Sequence, residues 1–285
     1  MKYSERTNEA QDIDIAIEKY NIKHIYTMFS GGYDSLATAM VCSNHPNFAG
    51  CIFIDTGTGI QETIDYVHAI AGLFGWPLHI GKPFMPYESL LVRSGFPGPA
   101  VHNIMYRYLK DRPLRQVNKE LRKLHKLLAS ERIGLVTGVR KQESQRRMAK
   151  AYYDTTQDGS LVWIAPIQDW TKRDVMDYVM PRLEAAGAPR NLVADTLHGS
   201  KECMCGAFAK PDERAAIKFW YPAAYERILV WERLVEVARL CRPDEIDSQH
   251  CQWGWGNGIA AEQLELIPFR MCVHCEATRP EKKNR

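Results

Sequence analysis

His24-Ile25-Tyr26-Thr27-Met28-Phe29 runs directly into Ser30-Gly31-Gly32-Tyr33-Asp34-Ser35 and on into Leu36-Ala37-Thr38-Ala39-Met40-Val41, and the reading of this junction decides the fold. A β-rich apolar run ends in two glycines and resumes with helix-forming residues, so the order is strand, tight turn, helix. Adjacent glycines let the backbone turn sharply without a Cβ clash and leave the first amides of the new helix bare. Bare amides at a helix N-terminus favour negative charge, and the hydroxyls of Ser30 and Ser35 are expected to add donors. The stretch reads as a cradle for phosphate. The Lys-Ser/Thr pair of a Walker A loop does not follow the glycines, which excludes the usual P-loop NTPase.

The surrounding composition is that of an ordinary globular protein. The chain has 285 residues, 45% apolar and 25% charged, long enough for one large domain with an appendage. A formal charge of +3 is too small to mark a nucleic-acid binder by itself. Basic residues are nevertheless dense from Arg107 to Arg147, a strip that suits either a phosphate-rich partner or a solvated helix face. No run reaches the roughly 18–20 apolar residues needed to cross a bilayer. Met1-Lys2-Tyr3-Ser4-Glu5-Arg6 is too polar for a secretory signal, so a cytoplasmic location with no membrane partner is expected. In that reducing setting the eight cysteines are expected to be free, catalytic or metal-bound.

Along the chain, Glu9 to Tyr20 is patterned as a short amphipathic helix ahead of the first strand. Ala49-Gly50-Cys51-Ile52-Phe53-Ile54 reads as a strand buried on both faces, as in a parallel sheet, and ends in Asp55-Thr56-Gly57. A helix from Ile60 to Phe74 and a third strand at Leu78-His79-Ile80 follow. Lys82 to Pro99, punctuated by prolines and glycines, is expected to be a loop-rich insertion serving as a mobile lid. A basic helical stretch from Met105 to Leu128, broken near Pro113, leads to a fourth strand, Ile133 to Thr137. That strand ends in Gly138-Val139-Arg140, where the arginine fork suits a phosphate or carboxylate, and Glu143 and Ser144 are expected to open a further helix. Leu161 to Ile167 is the fifth strand, and Thr171 with Asp174 has capping-box spacing. Polar residues at the tips of successive parallel strands meet in the crevice where open α/β sheets bind ligands.

In the same order, these motifs resemble those of the PAPS reductase-like branch of the PP-loop superfamily, the adenine nucleotide α-hydrolase-like enzymes. Residues 30–35 are similar to its SGGxDS signature, Asp55-Thr56-Gly57 to its DTG motif, and Gly138 to Arg147 to its G-x-R-x-x-E-S-x-x-R element. The segment from Pro166 through Trp170, Asp174 and Val175 to Tyr178 looks like a fourth family element, so the resemblance spans about residues 24–180. It implies a Rossmann-like α/β fold: a five-stranded, mostly parallel, doubly wound sheet over residues 1–185. A mainly helical, cysteine-containing part is expected over 186–285. It also implies that ATP and Mg²⁺ bind at Ser30, Gly31, Gly32, Asp34, Ser35, Asp55, Thr56, Gly57, Gly138, Arg140, Glu143 and Ser144. Asp34, Ser35 and Arg140 are expected to carry catalysis, with Asp34 either holding Mg²⁺ or ordering the loop. ATP would be cleaved to AMP and pyrophosphate as an acceptor is adenylated.

Cys203-Met204-Cys205 and Cys272-Val273-His274-Cys275 can each supply two sulfurs from one turn, and the four thiolates suit Zn²⁺ or a 4Fe–4S iron–sulfur cluster. Cys42, Cys51 and Cys241 read instead as buried small hydrophobes. Trp253 and Trp255, in a glycine-punctuated loop, are suited to cover a core edge or a metal site, or to stack a base. Some PP-loop sulfur-transfer enzymes carry such clusters, so the resemblance implies sulfur transfer of the nucleic-acid thiolation or phosphorothioation type, with a cysteine desulfurase-like donor and a homo-oligomeric enzyme. The chain departs from the sulfonucleotide reductases, whose catalytic Glu-Cys-Gly-x-His segment it lacks; Lys201-Glu202-Cys203 is only a faint echo. Reduction of phosphoadenylyl or adenylyl sulfate with Cys203 as nucleophile is the alternative. A non-catalytic nucleotide-binding subunit that recruits a nucleic-acid-processing partner is another.

Overall fold

The computed structural model describes residues 8–141, 155–210 and 212–257. Helix α1 (Asn8–Tyr20) precedes strand β1 (Ile22–Met28), which feeds α2 (Tyr33–Cys42), β2 (Phe48–Ile54), α3 (Gln61–Leu73) and β3 (Leu78–Gly81). A helical excursion follows: α4 (Tyr87–Ser94), α5 (His102–Tyr106) and α6 (Arg112–Leu124). The chain then returns through β4 (Arg132–Val136), β5 (Thr155–Asp158), β6 (Leu161–Ile164) and α7 (Lys172–Ala185). Three further α-helices follow, α8 (Leu192–Leu197), α9 (Glu213–Trp220) and α10 (Pro222–Cys241), and then two short 3-10 helices, Ser248–Cys251 and Trp255–Asn257.

The strands form one six-stranded sheet in the order β3-β2-β1-β4-β6-β5, parallel except for the β5–β6 pair. The chain builds outward from β1 through β2 to β3, then crosses back to lay β4 on the other side of β1. That reversal makes the carboxyl ends of β1 and β4 the switch point of the sheet, where the two connections diverge and leave a crevice. The sixth strand is a correction to the expected five. β5 is Thr-Thr-Gln-Asp, an edge strand with no apolar alternation to announce it, turned back onto β6 through Gly159 at φ +62°. The fifth expected strand is also shorter, ending at Ile164 rather than Ile167.

Side chains alternate across the sheet with the period of two that a strand imposes. Tyr26, Ile52, Ile54, Ile133, Leu135 and Leu161 face α6 through its Leu114, Val117 and Leu121. Cys51 and Phe53 face the opposite layer, packing with residues of α2, α3 and α7, while Ile25, Val136 and Val162 pack against Ile13 and Ala16 of α1. At about 1.5–3 kcal/mol per fully buried large apolar side chain, this two-sided burial is the main source of the sheet's stability. Cys42 and Cys51 are buried as expected; Cys241, at the C-terminal end of α10, is exposed, because its position there faces away from the helix's buried row.

A second core lies beside the sheet. It joins Tyr87, Leu90 and Leu91 of α4, Met105 and Leu109, Val193 and Leu197 of α8, and Ile217, Ile228, Trp231 and Val235 of α9 and α10. This core draws residues from both sides of position 185. It also corrects the expected lid: the 82–99 stretch contains α4, with Pro86 at its N-cap and Gly95 at φ +70° as its C-cap. The proline and glycines punctuate a packed helix rather than a loop. Tyr87 stacks edge-on against Trp231 at 5.1 Å and donates to the carbonyl of Cys205 at 2.8 Å. Farther on, a π-helical turn at Arg107–Asp111 leads into α6, with Pro113 in its first turn, so the helical path changes pitch where a break was expected.

Candidate functional site

The turn after β1 is held from three sides. Gly31 adopts φ +83°, and a Cβ there would come within 3.1 Å of both Thr63 Cγ2 and Val67 Cγ2 on α3. Asn191 Nδ2 donates to Gly31 O at 2.8 Å, while its own Oδ1 caps α8 through the amides of Val193 and Ala194. Gly32 is the N-cap of α2 and supplies no side-chain cap, so the first amides of α2 keep an electropositive end at the crevice. The serines are engaged within the loop itself. Ser35 Oγ donates to Gly32 O (2.8 Å) and accepts from the Ser30 amide (3.2 Å), and the two hydroxyls lie 3.3 Å apart. They set the shape of the cradle, and the backbone supplies its charge.

The loop after β4 closes against this turn. A Cβ on Gly138 would lie 2.5 Å from the carbonyl carbon and oxygen of Asp34 and 2.8 Å from the Ser35 amide nitrogen, so only glycine permits the approach. Two residues on, Arg140 is nearly buried, 5% exposed, and forks onto Asp34: Nε donates to Oδ1 at 3.0 Å and Nη2 to Oδ2 at 3.3 Å. Both Asp34 oxygens are therefore engaged by guanidinium. That arrangement suits ordering the loop and does not fit a carboxylate ligating Mg²⁺. Lys172, at the start of α7, brings an exposed ammonium to 3.7 Å from Asp34 Oδ1 and lies over the Tyr33 ring. The capping box of α7 forms as the spacing predicts, Thr171 Oγ1 accepting from the Asp174 amide. Glu143 and Ser144 lie outside the described residues.

At the tip of β2, Asp55 Oδ1 accepts from the Gly57 amide at 3.0 Å and Oδ2 lies 3.4 Å from Lys82 Nζ. Thr56 is buried and binds protein rather than facing the crevice: its Oγ1 donates to Glu202 O at 2.9 Å and meets Thr58 Oγ1 at 2.9 Å. Thr58 Oγ1 in turn lies 3.5 Å from Cys203 Sγ and accepts from the Met204 amide at 3.0 Å. Ile60 N donates to Lys201 O, and Thr63 Oγ1 to Ser200 O. The backbone of Glu202 passes so close to Gly59 that a Cβ there would meet its carbonyl oxygen at 2.8 Å. The Ser200–Cys205 segment is thus stitched along the tips of β1 and β2. Ser200 Cβ would sit 3.6 Å from a Cβ on Gly32.

Around Cys203 the electrostatics are unusual. Lys110 Nζ pairs with Glu202 Oε1 at 2.7 Å, and Ser200 Oγ donates to the other carboxylate oxygen at 2.5 Å. Burial would push the Glu202 carboxyl up, but Lys110 and Ser200 outweigh it and hold it at about 2. A hydrogen bond from Cys205, aided by the Lys110 charge and the Thr58 hydroxyl, pulls the Cys203 thiol down to about 6 against its burial; Cys205, as donor, is pushed well above the usual thiol range. The two thiols, with His102, Met105, Tyr106, Leu109 and Lys110, line a small hollow. As a donor set, one thiolate beside a second soft sulfur fits half of a four-thiolate site. Among the described residues no third His, Cys, Asp or Glu joins them in a metal-holding group; Cys272 and Cys275 lie outside the described residues.

The family model for the phosphoadenosine phosphosulfate reductase domain matches residues 24–183, more than half of the chain. The chain belongs to this family. An uncharacterized protein of Methanocaldococcus jannaschii is 30% identical over 160 residues, 54% of this chain; the chain spans about a third of that relative's length, 35%. Phosphoadenylyl-sulfate (PAPS) reductase from Candida auris, solved as a phosphate complex, aligns over 67% of this chain and 85% of its own at 20% identity with a TM-score of 0.47. The U34-tRNA thiolase NcsA from Methanococcus maripaludis, solved with its 4Fe–4S cluster, aligns over 80% of this chain and 79% of its own at 14% identity with a TM-score of 0.41.

Within the family domain the structure gathers Ser30–Ser35, Gly138 and Arg140 at the switch point, and Asp55–Gly57 one strand away. Several residues that build the site escape a reading of the sequence. Asn191 belongs to no motif, yet it caps α8 and its second bond, to Gly31, spans 160 residues. Thr58, Thr63 and Lys110 carry no motif. Arg227 of α10 donates through Nη2 to the carbonyls of Thr58 and Gly59, bracing the β2 tip from the second core. Trp253 covers the same region, its Nε1 donating to Met204 O at 2.8 Å, which favours the core-covering role over base stacking.

Proposed function

We propose that the chain binds ATP with its phosphates at the Ser30–Ser35 turn and adenylates an acceptor for sulfur transfer. The observation that carries this reading is the juxtaposition of a glycine-turn helix N-terminus at the β1/β4 switch point with a thiol pair stitched to the neighbouring strand tip. An acceptor oxygen attacks the α-phosphorus, the bond to the β-phosphate oxygen breaks, and pyrophosphate leaves with the developing charge facing the α2 amides and the Lys172 ammonium. Arg140 and Asp34 hold the turn in shape. Mg²⁺, carried on the nucleotide, supplies further charge neutralisation. Cys203 and Cys205, completed by Cys272 and Cys275, would hold a zinc ion or an iron–sulfur cluster.

The test is product analysis with Mg²⁺·ATP and total tRNA or plasmid DNA as acceptor. AMP and pyrophosphate are expected, and Gly32→Val, which fills the cradle, should abolish their formation. ADP and phosphate would contradict the reading. One arrangement favours the reductase alternative: Cys203 Sγ lies 3.5 Å from the Thr58 hydroxyl and lines a hollow with Lys110, surroundings that favour the thiolate form a nucleophile uses. Sulfite released from a sulfonucleotide by a thiol reductant, without ATP consumption and lost in Cys203→Ser, would establish that version instead.

A further inference from the structure

The hydroxyl of Ser200 stands at the lip of the anion cradle. A Cβ built on Gly32 would lie 3.8 Å from Ser30 Oγ and 3.9 Å from Ser200 Oγ, so a serine of the turn and a serine from beyond α8 flank one point at the start of α2. The backbone holds Ser200 there. His198 and Lys201, at φ +52° and +49°, adopt the left-handed conformation that non-glycine residues seldom hold, on either side of Gly199 and Ser200. Such strain persists only where surrounding bonds over-determine it. Here Thr63 Oγ1 donates to Ser200 O, Ile60 N donates to Lys201 O at 3.0 Å, and Lys201 Nζ pairs with Glu213 Oε2 at 2.9 Å.

A serine hydroxyl has one proton to donate. Ser200 directs it to Glu202 Oε2 at 2.5 Å, while Lys110 Nζ holds Oε1 of the same carboxylate at 2.7 Å. Glu202 thus has a second, charged partner and keeps it if the serine turns away. A phosphate at the start of α2 would present anionic oxygens to the same hydroxyl, and rotation about the Cα–Cβ bond to another staggered position re-aims the hydroxyl with the backbone unmoved. Ser30 and Ser35 direct their protons inside the turn, Ser30 Oγ to Ser35 Oγ and Ser35 Oγ to Gly32 O, which leaves Ser200 as the hydroxyl of the lip whose bond can be exchanged without unravelling the turn.

We propose that Ser200 is a phosphate-binding residue of the cradle, its single donated hydrogen bond passing from Glu202 to a phosphate oxygen when the cradle fills. This role rests on the reading of the Ser30–Ser35 turn as a nucleotide site. Filling the cradle then leaves Glu202 to Lys110 alone.

The experiment is isothermal titration calorimetry of the full chain with Mg²⁺·ATP and with pyrophosphate. Ser200→Ala should weaken both about tenfold, the loss of one hydrogen bond to a charged group, and Ser200→Thr, which restores the hydroxyl, should recover most of the affinity. Glu202→Gln makes the competing acceptor weaker, so it should tighten pyrophosphate binding about threefold more in the Ser200 chain than in Ser200→Ala; taking that difference removes the plain effect of a lost negative charge. Ser200 is half-exposed, and circular dichroism checks that the variants stay folded. Pyrophosphate binding that Gly32→Val abolishes and Ser200→Ala leaves within about twofold overturns this role while the nucleotide reading stands. An equal effect of Glu202→Gln in both chains overturns it as well, and so does Ser200→Thr binding as weakly as Ser200→Ala. A chain that binds neither ATP nor pyrophosphate overturns the role and the nucleotide reading together.

Discussion

Gly138→Ala adds one methyl group at the tightest approach in the site. The new Cβ would sit 2.5 Å from the Asp34 carbonyl carbon and oxygen and 2.8 Å from the Ser35 nitrogen, all backbone atoms at the start of α2 that no rotamer change can move. The loop after β4 must therefore lift, pulling Arg140 away from Asp34 and leaving a nearly buried guanidinium short of its partner. Overpacking of this kind costs about 3 kcal/mol, at the upper end of its usual range because both sides are main chain. Gly57→Ala is the matched control. Gly57 also sits at a strand tip, at φ +73°, but nothing lies within 4 Å of a Cβ there, so only the left-handed strain of about 1 kcal/mol applies. At roughly 2–4 °C per kcal/mol for a domain of this size, the alanine at 138 should lower Tm by about 6–12 °C and the one at 57 by about 2–4 °C. Denaturant midpoints should move in the same order with unchanged slope. ATP affinity should fall at least tenfold in Gly138→Ala and much less in Gly57→Ala. Equal stability and equal affinity in the two variants would refute the idea that this contact shapes the cradle.

Two further outcomes follow from the same geometry. Asp34→Asn removes the charge facing Arg140 while keeping the shape, so it should destabilise the fold by about 3 kcal/mol, measured by urea unfolding, with Asp34→Ala no milder. In metal-free protein, alkylation of Cys203 should rise with pH through a midpoint near 6, since the thiolate is the reacting form and the folded site lowers its proton affinity. Lys110→Met, which removes a neighbouring positive charge, should move that midpoint upward, read by mass spectrometry of the peptide carrying residue 203.

The succession of strands and helices along the chain and the glycine turn after β1 were legible because local chemistry dictates them: two glycines between a strand and a helix mark a sharp turn, and the same holds for Gly138 after β4. The edge strand β5 was not, since Thr155 to Asp158 lack apolar alternation and gain their pairing only from the hairpin with β6. Thr56 read as a ligand contact, yet its hydroxyl binds the Glu202 backbone 146 residues away. Long-range bonds of that kind leave no periodicity in the sequence. The same is true of α4, whose prolines and glycine look like a loop until its apolar face is seen against α10.

The most direct test of the central claim is a crystal structure of the protein with a non-hydrolysable ATP analogue and Mg²⁺. The β- and γ-phosphates should lie against the amides at the start of α2, between the tips of β1 and β4, with the Arg140–Asp34 pair intact behind them. Phosphate density elsewhere, with the turn at Ser30–Ser35 left empty or closed by side chains, would contradict the account.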